Sequence, residues 1–86
     1  MSDSFVVSVV LFAAARDAAD AAEIEIACDE AQTVSSVLEK AAQNNSGLQE
    51  FLKTDFLVAV NEEFADQSTE ITKACELAVL PPVSGG

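Results

Sequence analysis

Five short, mainly apolar segments along the chain have the length and residue types of β-strands. The first is apolar at nearly every position and rich in valine and phenylalanine, which predicts a central strand buried on both faces. The second alternates, with Ile24 and Ile26 on one face and glutamates on the other, which predicts a half-buried strand paired with the first as a hairpin. The five segments are residues 5–12, 23–28, 56–60, 64–66 and 76–80.

Residues 34–42 have the spacing of an amphipathic α-helix. Thr33 is a suitable N-cap residue, and the Asn-Asn-Ser-Gly run at residues 44–47 ends the helix. Shorter helical turns are predicted at residues 13–22 and 48–53. The apolar side chains of the main helix recur at i, i+3, i+4, i+7 and i+8, and they are Val34, Val37, Leu38, Ala41 and Ala42.

The order of these elements is strand, strand, helix, strand, short strand, strand. A helix between the second and third strands predicts an α+β domain in which one mixed sheet packs on one main helix. A chain of 86 residues has room for one domain with a small core. We assign residues 1–80 to this domain and residues 81–86 to an extended C-terminal tail.

The last six residues have a composition suited to a thin, extended arm. Pro81 and Pro82 fix φ and favour an extended conformation without internal hydrogen bonds. Gly85 and Gly86 have no side chains, so a narrow channel can admit them. At roughly 3 Å per extended residue the six residues would reach on the order of 20 Å. That length would allow the tail to enter the active site of another protein.

The charge of the chain limits the partners that it can bind. Fifteen acidic and four basic residues give a formal net charge of −11. This charge disfavours nucleic acid and anionic membranes as partners, and it favours a basic protein surface. A second interpretation is that the charge only keeps the protein soluble.

The sequence contains few residues suited to catalysis or metal binding. Histidine, the commonest general base and metal ligand, is absent. Cys28 and Cys75 are far apart, which indicates neither a zinc site nor a disulfide framework, and Cys28 is expected in the core. Glu62, Glu63 and Asp66 lack the glycine-containing loop of a calcium site and are expected in a solvated turn. We therefore expect no bound metal or cofactor.

The apolar run at residues 5–15 could be mistaken for a targeting segment. It is too short to span a bilayer, and the residues before it include Asp3 but no basic residue, unlike a secretory signal. Two unpaired cysteines suit a reducing compartment. These features predict a soluble, cytoplasmic protein.

Three segments together carry a resemblance to a known family. They are Leu-Phe-Ala at residues 11–13 followed by Arg16, Ala-Val-Asn at residues 59–61, and the whole of residues 76–86. In the last, an apolar strand leads into Pro-Pro, an aliphatic residue, a small residue and Gly-Gly. With these segments the chain resembles the ubiquitin-like β-grasp proteins, and more narrowly the MoaD family of small molybdopterin synthase subunits. The resemblance covers essentially the whole chain.

The resemblance implies a sulfur carrier in molybdenum cofactor biosynthesis that is not an enzyme by itself. It implies that an ATP-dependent, E1-like enzyme adenylates the Gly86 carboxylate, which is then converted to a thiocarboxylate. It further implies that the sulfur passes to cyclic pyranopterin monophosphate in the large synthase subunit, in an assembly of two small and two large subunits. Exposed apolar side chains, with Phe12 and Leu80 as candidates, would dock the body of the carrier. The residues of the inserted tail would be Pro81, Pro82, Val83, Ser84 and Gly85.

Two positions depart from the pattern of the family. The turn before the last strand is usually Gly-Asp and is Ala74-Cys75 here, and alanine does not share the ease of glycine at positive φ. The region after the first strand often contains glycine, and Asp20 lies near that place.

Three other functions stay open at this point. Sulfur carriers for thiamine synthesis or tRNA thiolation resemble the chain in fold but typically lack the proline pair. A ubiquitin-like protein modifier would use the same activation step and then form isopeptide bonds to lysines. An interaction domain with an incidental flexible end would leave the match of the prolines and glycines unexplained.

Overall fold

A computed structural model of the chain describes residues 4–82. Within that range the helices are α1 (Ala13–Ala19), α2 (Val34–Ala42) and α3 (Ser46–Phe51). The strands are β1 (Phe5–Leu11), β2 (Glu23–Cys28), β3 (Gln32–Thr33), β4 (Leu57–Val60), β5 (Glu63–Ala65), β6 (Glu70–Ile71) and β7 (Cys75–Leu80). Each predicted element is present, with ends that differ by a few residues. The sequence did not predict β3 and β6.

Five of the strands form one mixed sheet, which confirms the predicted α+β arrangement. Their order is β2-β1-β7-β4-β5, and β1 runs parallel to β7 while the other neighbours are antiparallel. The predicted pairing of β1 with β2 is therefore confirmed. The remaining strands, β3 and β6, form a separate two-stranded sheet.

The core lies between the sheet and α2. All five residues of the predicted apolar stripe on α2 are buried, as are Leu48 of α3 and Ile71 of β6. Thr33 caps α2, because its Oγ1 accepts a hydrogen bond of 3.1 Å from the N–H of Ser36. Cys28 is completely buried, as expected for a core residue.

The prediction that β1 is buried on both faces was wrong. Val7, Val9 and Leu11 are buried, whereas the alternate residues are not, and Val6 is 45% exposed. The burial alternates because the helices cover one face of the sheet and the described chain leaves the other face open. The candidate site described below lies on that open face.

In some of the sharp turns, residues other than glycine have a positive φ, which is the left-handed region of backbone conformation. Asp20 ends α1 there, at the position where related proteins were expected to have glycine. Ala74 is not among these residues, so the turn before β7 does not require a positive φ at this position. Cys75 begins that strand. The described non-glycine residues with positive φ are Ala13 (50°), Asp20 (56°), Asn61 (48°) and Glu62 (71°).

None of the helices between residues 4 and 82 is both long enough and apolar enough to cross a membrane.

Candidate partner-docking site

The structure places the two predicted docking residues side by side. In the parallel pair of β1 and β7, Leu11 lies opposite Val79, so Phe12 and Leu80 follow at the same end of neighbouring strands. The Phe12 N–H donates a hydrogen bond of 3.2 Å to the Val79 carbonyl. Phe12 is 45% exposed and Leu80 is half-buried.

Phe12 and Leu80 line a groove with a volume of about 260 Å³ on the open face of the sheet. The strand register explains the shape of this groove. Ala59 on β4 lies opposite Ala78 on β7 and opposite Phe64 on β5. Small side chains therefore occupy the centre, with larger ones around them. The complete lining is Phe12, Ala59, Glu62, Phe64, Glu76, Ala78 and Leu80.

Phe64 is the most exposed large apolar residue among those described, at 75%. Phe64 and Phe12 both line the groove, and exposed apolar surfaces of this kind usually mark protein-interaction sites. Phe64 was not predicted to be a site residue from the sequence. Its position in the predicted edge strand could have identified it, because Ala65 packs toward the core and its neighbour must point to the other face.

A tight hairpin joins β4 to β5 and holds Phe64 beside the groove. Val60 pairs with Glu63, and the two residues between them, Asn61 and Glu62, both have positive φ, which is the pattern of a type I′ turn. Asn61 also contacts β7. Its N–H donates to the Glu76 carbonyl at 2.9 Å, and its side-chain Oδ1 accepts from the Glu76 N–H at 3.0 Å.

Two carboxylates, those of Glu62 and Glu76, line the groove and are exposed. Between residues 4 and 82 the structure contains one ion pair, in which Lys53 Nζ lies 3.1 Å from Glu50 Oε2. Neither groove glutamate belongs to it. The groove thus combines an apolar lining with two negative charges.

The predicted tail begins next to this groove. Pro81 and Pro82 directly follow β7 and are exposed. The other predicted tail residues, Val83, Ser84 and Gly85, and the predicted site of chemistry, Gly86, lie outside the described residues. Their roles stay predictions, and the structure adds the position from which the tail begins.

Other groups on the described chain offer little chemistry. Cys28 on β2 lies opposite Phe5 and Cys75 on β7 lies opposite Val7, so two strand spacings of roughly 4.8 Å and an offset along β1 separate their Cα atoms, which is too far for a disulfide. Burial, followed by the nearby Cys28, raises the pKa of the Cys75 thiol. Hydrogen bonds from Ser68, and then from Thr69, hold the pKa of the exposed Asp66 below its usual value. No cluster able to hold a metal ion occurs in the part of the chain that the structure describes.

A five-stranded mixed sheet that packs on one main helix, with its last strand in the middle, defines a ubiquitin-like β-grasp protein. The sequence model of the ThiS family matches residues 9–86. The chain belongs to that family, and the predicted resemblance to MoaD-like proteins is confirmed.

A curated relative and several solved structures resemble the chain over nearly its whole length. A molybdopterin synthase sulfur carrier subunit from Arabidopsis thaliana is 28% identical, over 99% of this chain and 88% of the relative. SAMP1 from Haloferax volcanii is 26% identical with a TM-score of 0.82, covering 94% of this chain and 99% of that one.

Two further structures come from molybdopterin-converting factors. Putative subunit 1 from Pyrococcus furiosus is 26% identical with a TM-score of 0.77, covering 92% of this chain and 99% of that one. A chain in the complex of subunits 1 and 2 from Helicobacter pylori is 24% identical with a TM-score of 0.66, covering 95% of this chain and 100% of that one. At that identity the last comparison supports the fold.

Proposed function

We propose that this protein is the sulfur-carrier subunit of a molybdopterin synthase. The observation that carries the proposal is the exposed apolar groove at the end of β7, directly before the tail that begins with Pro81 and Pro82. A carrier must bind its partner with its body while a thin arm delivers the reacting group. The groove and the tail are adjacent, so one partner could contact both. The Arabidopsis relative is named as such a carrier.

The reacting group would be the carboxylate of Gly86. A carboxylate is a poor electrophile, so an ATP-dependent, E1-like enzyme first joins it to AMP and releases pyrophosphate. A sulfur nucleophile at the oxidation level of sulfide, such as hydrosulfide, then attacks the acyl carbon, forming a C–S bond while the C–O bond to AMP breaks and AMP leaves. The product is a terminal thiocarboxylate, and the carrier itself holds no cofactor.

The thiocarboxylate would act inside the large subunit of the synthase. Gly85 and Gly86 leave the acyl group unhindered, and the proline pair reduces the conformational entropy lost when the tail is held in a channel. There the sulfur bonds to cyclic pyranopterin monophosphate, and water breaks its bond to the acyl carbon and restores the Gly86 carboxylate. Two such transfers supply the two sulfur atoms of the dithiolene of molybdopterin. Catalytic groups for this step would come from the large subunit. The proposed assembly has two small and two large subunits and is cytoplasmic.

The contact with the large subunit would use the groove around Phe12 and Leu80. Apolar side chains of the partner could fill the space above Ala59 and Ala78, where the small alanines leave room. Burial of this surface would supply affinity, while the tail supplies the chemistry. This division of roles also explains why the body of the protein needs no general base.

Intact-mass measurement tests the proposal directly. After co-expression with the cognate activating enzyme, we expect the chain to gain the mass difference of one oxygen replaced by sulfur. Deletion of Gly86 should abolish this gain and all sulfur transfer in reconstituted synthase, while the unfolding curve stays unchanged. Transfer by the deletion variant would contradict the proposal. Isolation of the bound partner distinguishes a molybdopterin synthase from a thiamine or tRNA-thiolation system.

SAMP1 stands for small archaeal modifier protein 1, and the likeness to it favours a second function as a protein modifier. A modifier would use the same activated Gly86 but transfer it to a lysine amine instead of exchanging oxygen for sulfur. Mass spectrometry of cell lysate should then reveal peptides with Gly86 joined to lysine. Their absence, together with a thiocarboxylate form, would favour the carrier.

A further inference from the structure

The apolar groove carries negative charge on the side chains of Glu62 and Glu76. Both residues are exposed, both line the groove, and neither forms an ion pair within the described part of the chain. A purely apolar partner surface would remove water from these carboxylates without replacing the lost hydration, which is costly. A partner that covers the groove must therefore offer them hydrogen-bond donors or opposite charge.

The positions of the two glutamates are fixed by the same turn. Asn61, the neighbour of Glu62, is joined to the backbone of Glu76 by the pair of hydrogen bonds described above. Because Asn61 binds both the N–H and the carbonyl of Glu76, the β4–β5 turn cannot slide along β7 without breaking two bonds. The backbone positions that carry the two carboxylates are thus held in a fixed register at this part of the sheet.

We propose, on the basis of the proposed function, that Glu62 and Glu76 form a docking point for basic side chains of the large subunit that also fills the apolar groove. A lysine or arginine suits this position because its aliphatic stem can pack on Ala78 and Phe64 while its charge reaches the carboxylates. The docking point fixes which way the partner lies across the sheet, and it places the tail toward the partner's channel.

A second copy of this chain does not fit the same groove. Each copy has a net charge of −11, with four basic residues in total. Pairing of two identical grooves would bring Glu62 and Glu76 near their own counterparts, and like charges across an interface are unfavourable. The occupant that the surface selects is a protein with basic side chains next to apolar ones.

Two double variants with equal charge change test the proposal. Glu62→Gln with Glu76→Gln removes both carboxylates from the groove. Glu30→Gln with Glu39→Gln removes two exposed carboxylates that neither line the groove nor neighbour a residue that does, so the net charge changes equally. Binding of each purified chain to the large synthase subunit is measured by calorimetry at several salt concentrations, and thermal unfolding confirms that each variant is folded.

We expect the groove variant to bind about tenfold more weakly at low salt and to show a smaller salt dependence, because exposed charge pairs act mainly through screened attraction. The control variant should lose about twofold at most, because its change acts only through long-range attraction. Equal losses for the two variants, or no loss for either, would overturn the docking point alone. Failure of the unmodified chain to bind the large subunit would overturn the proposed function and the docking point with it.

Discussion

At the scale of single residues, Gly47 is required for the contact between two helices. A Cβ atom on Gly47 of α3 would lie 1.8 Å from the carbonyl oxygen of Ala18 in α1. The φ angle of Gly47 is not positive, so close approach rather than backbone freedom explains this glycine. Asn45 supports the same contact, because its Nδ2 donates a hydrogen bond of 2.9 Å to the carbonyl of Ala19.

Replacement of Gly47 by alanine should therefore destabilise the protein. In an unconstrained helix this change would stabilise by about 1 kcal/mol. Here we expect a loss of about 2 kcal/mol in the free energy of unfolding, because α1 and α3 must move apart. Urea denaturation followed by circular dichroism gives the value. A stabilised variant would show that the two helices separate without cost.

Several residues other than glycine have a positive φ, and they differ in how well they suit that conformation. Asp20 and Asn61 are residue types that tolerate this region, and each ends or turns an element there. Ala13 is less suited to it, yet it directly follows Phe12 at the start of α1. Its strained conformation orients the chain where β1 gives way to the helix, beside the groove.

At the scale of elements, exposure and pairing within the sheet decide which side chains are available to a partner. Phe64 lies on the edge strand β5 and contributes little to the core because most of its surface is exposed. Val6 is a suitable comparison, since it is also apolar, also on the open face of the sheet, and outside the groove.

Replacement of Phe64 by threonine should separate binding from stability. We expect the free energy of unfolding to change by about 0.5 kcal/mol or less, as for most surface substitutions. Affinity for the large subunit should fall by about tenfold or more if Phe64 is an aromatic anchor of the interface. Calorimetric titration measures the affinity, and Val6→Thr is the control, for which the affinity should stay unchanged. Equal affinities for the two variants would place the interface elsewhere.

Elements with several residues of periodic pattern were predictable from the sequence, and the others were not. The stripe on α2 and the alternation in β2 each repeat several times, so their faces could be assigned. β3 and β6 have two residues each, which is too few for a pattern. The pattern of β1 was misleading, because a strand with apolar residues on its open face has the same composition as a strand buried on both faces.

Only part of the candidate site could be predicted from the sequence. Phe12 and Leu80 could be named because each ends an apolar strand that belongs to the resemblance. Ala59, Ala78 and the two glutamates could not be grouped with them, because that requires the strand order and the register. The sequence alone does not show that β7 lies between β1 and β4 in the sheet.

At the scale of the whole molecule, the net charge has opposite effects on stability and on binding. A charge of −11 is poorly compensated, with one ion pair between residues 4 and 82. Mutual repulsion of like charges disfavours the compact state, and added salt screens it. The same screening weakens attraction to a basic partner.

Sodium chloride should therefore raise the thermal unfolding temperature of the isolated chain and lower its affinity for the large subunit. Scanning calorimetry from low to high salt checks the first effect, and isothermal titration over the same range checks the second. A neutral osmolyte such as sucrose serves as the control, because it does not screen charge and should not weaken binding. Binding that is insensitive to salt would contradict an electrostatic attraction between the chain and the large subunit.

The central position of β7 has a consequence for the synthesis of the protein on the ribosome. Among the strands between residues 4 and 82, β1 is made first and its parallel neighbour β7 is made last. The other strands of the main sheet therefore form two separate pairs, β1 with β2 and β4 with β5, until β7 inserts between β1 and β4. Such long-range pairing delays folding until nearly the whole chain is available. An incomplete chain lacks both the groove and the end of β7 that carries the tail. The groove can therefore form only after the chain has been synthesised through β7 and this strand has paired with β1 and β4, so a partner that recognised the groove would not bind shorter nascent chains.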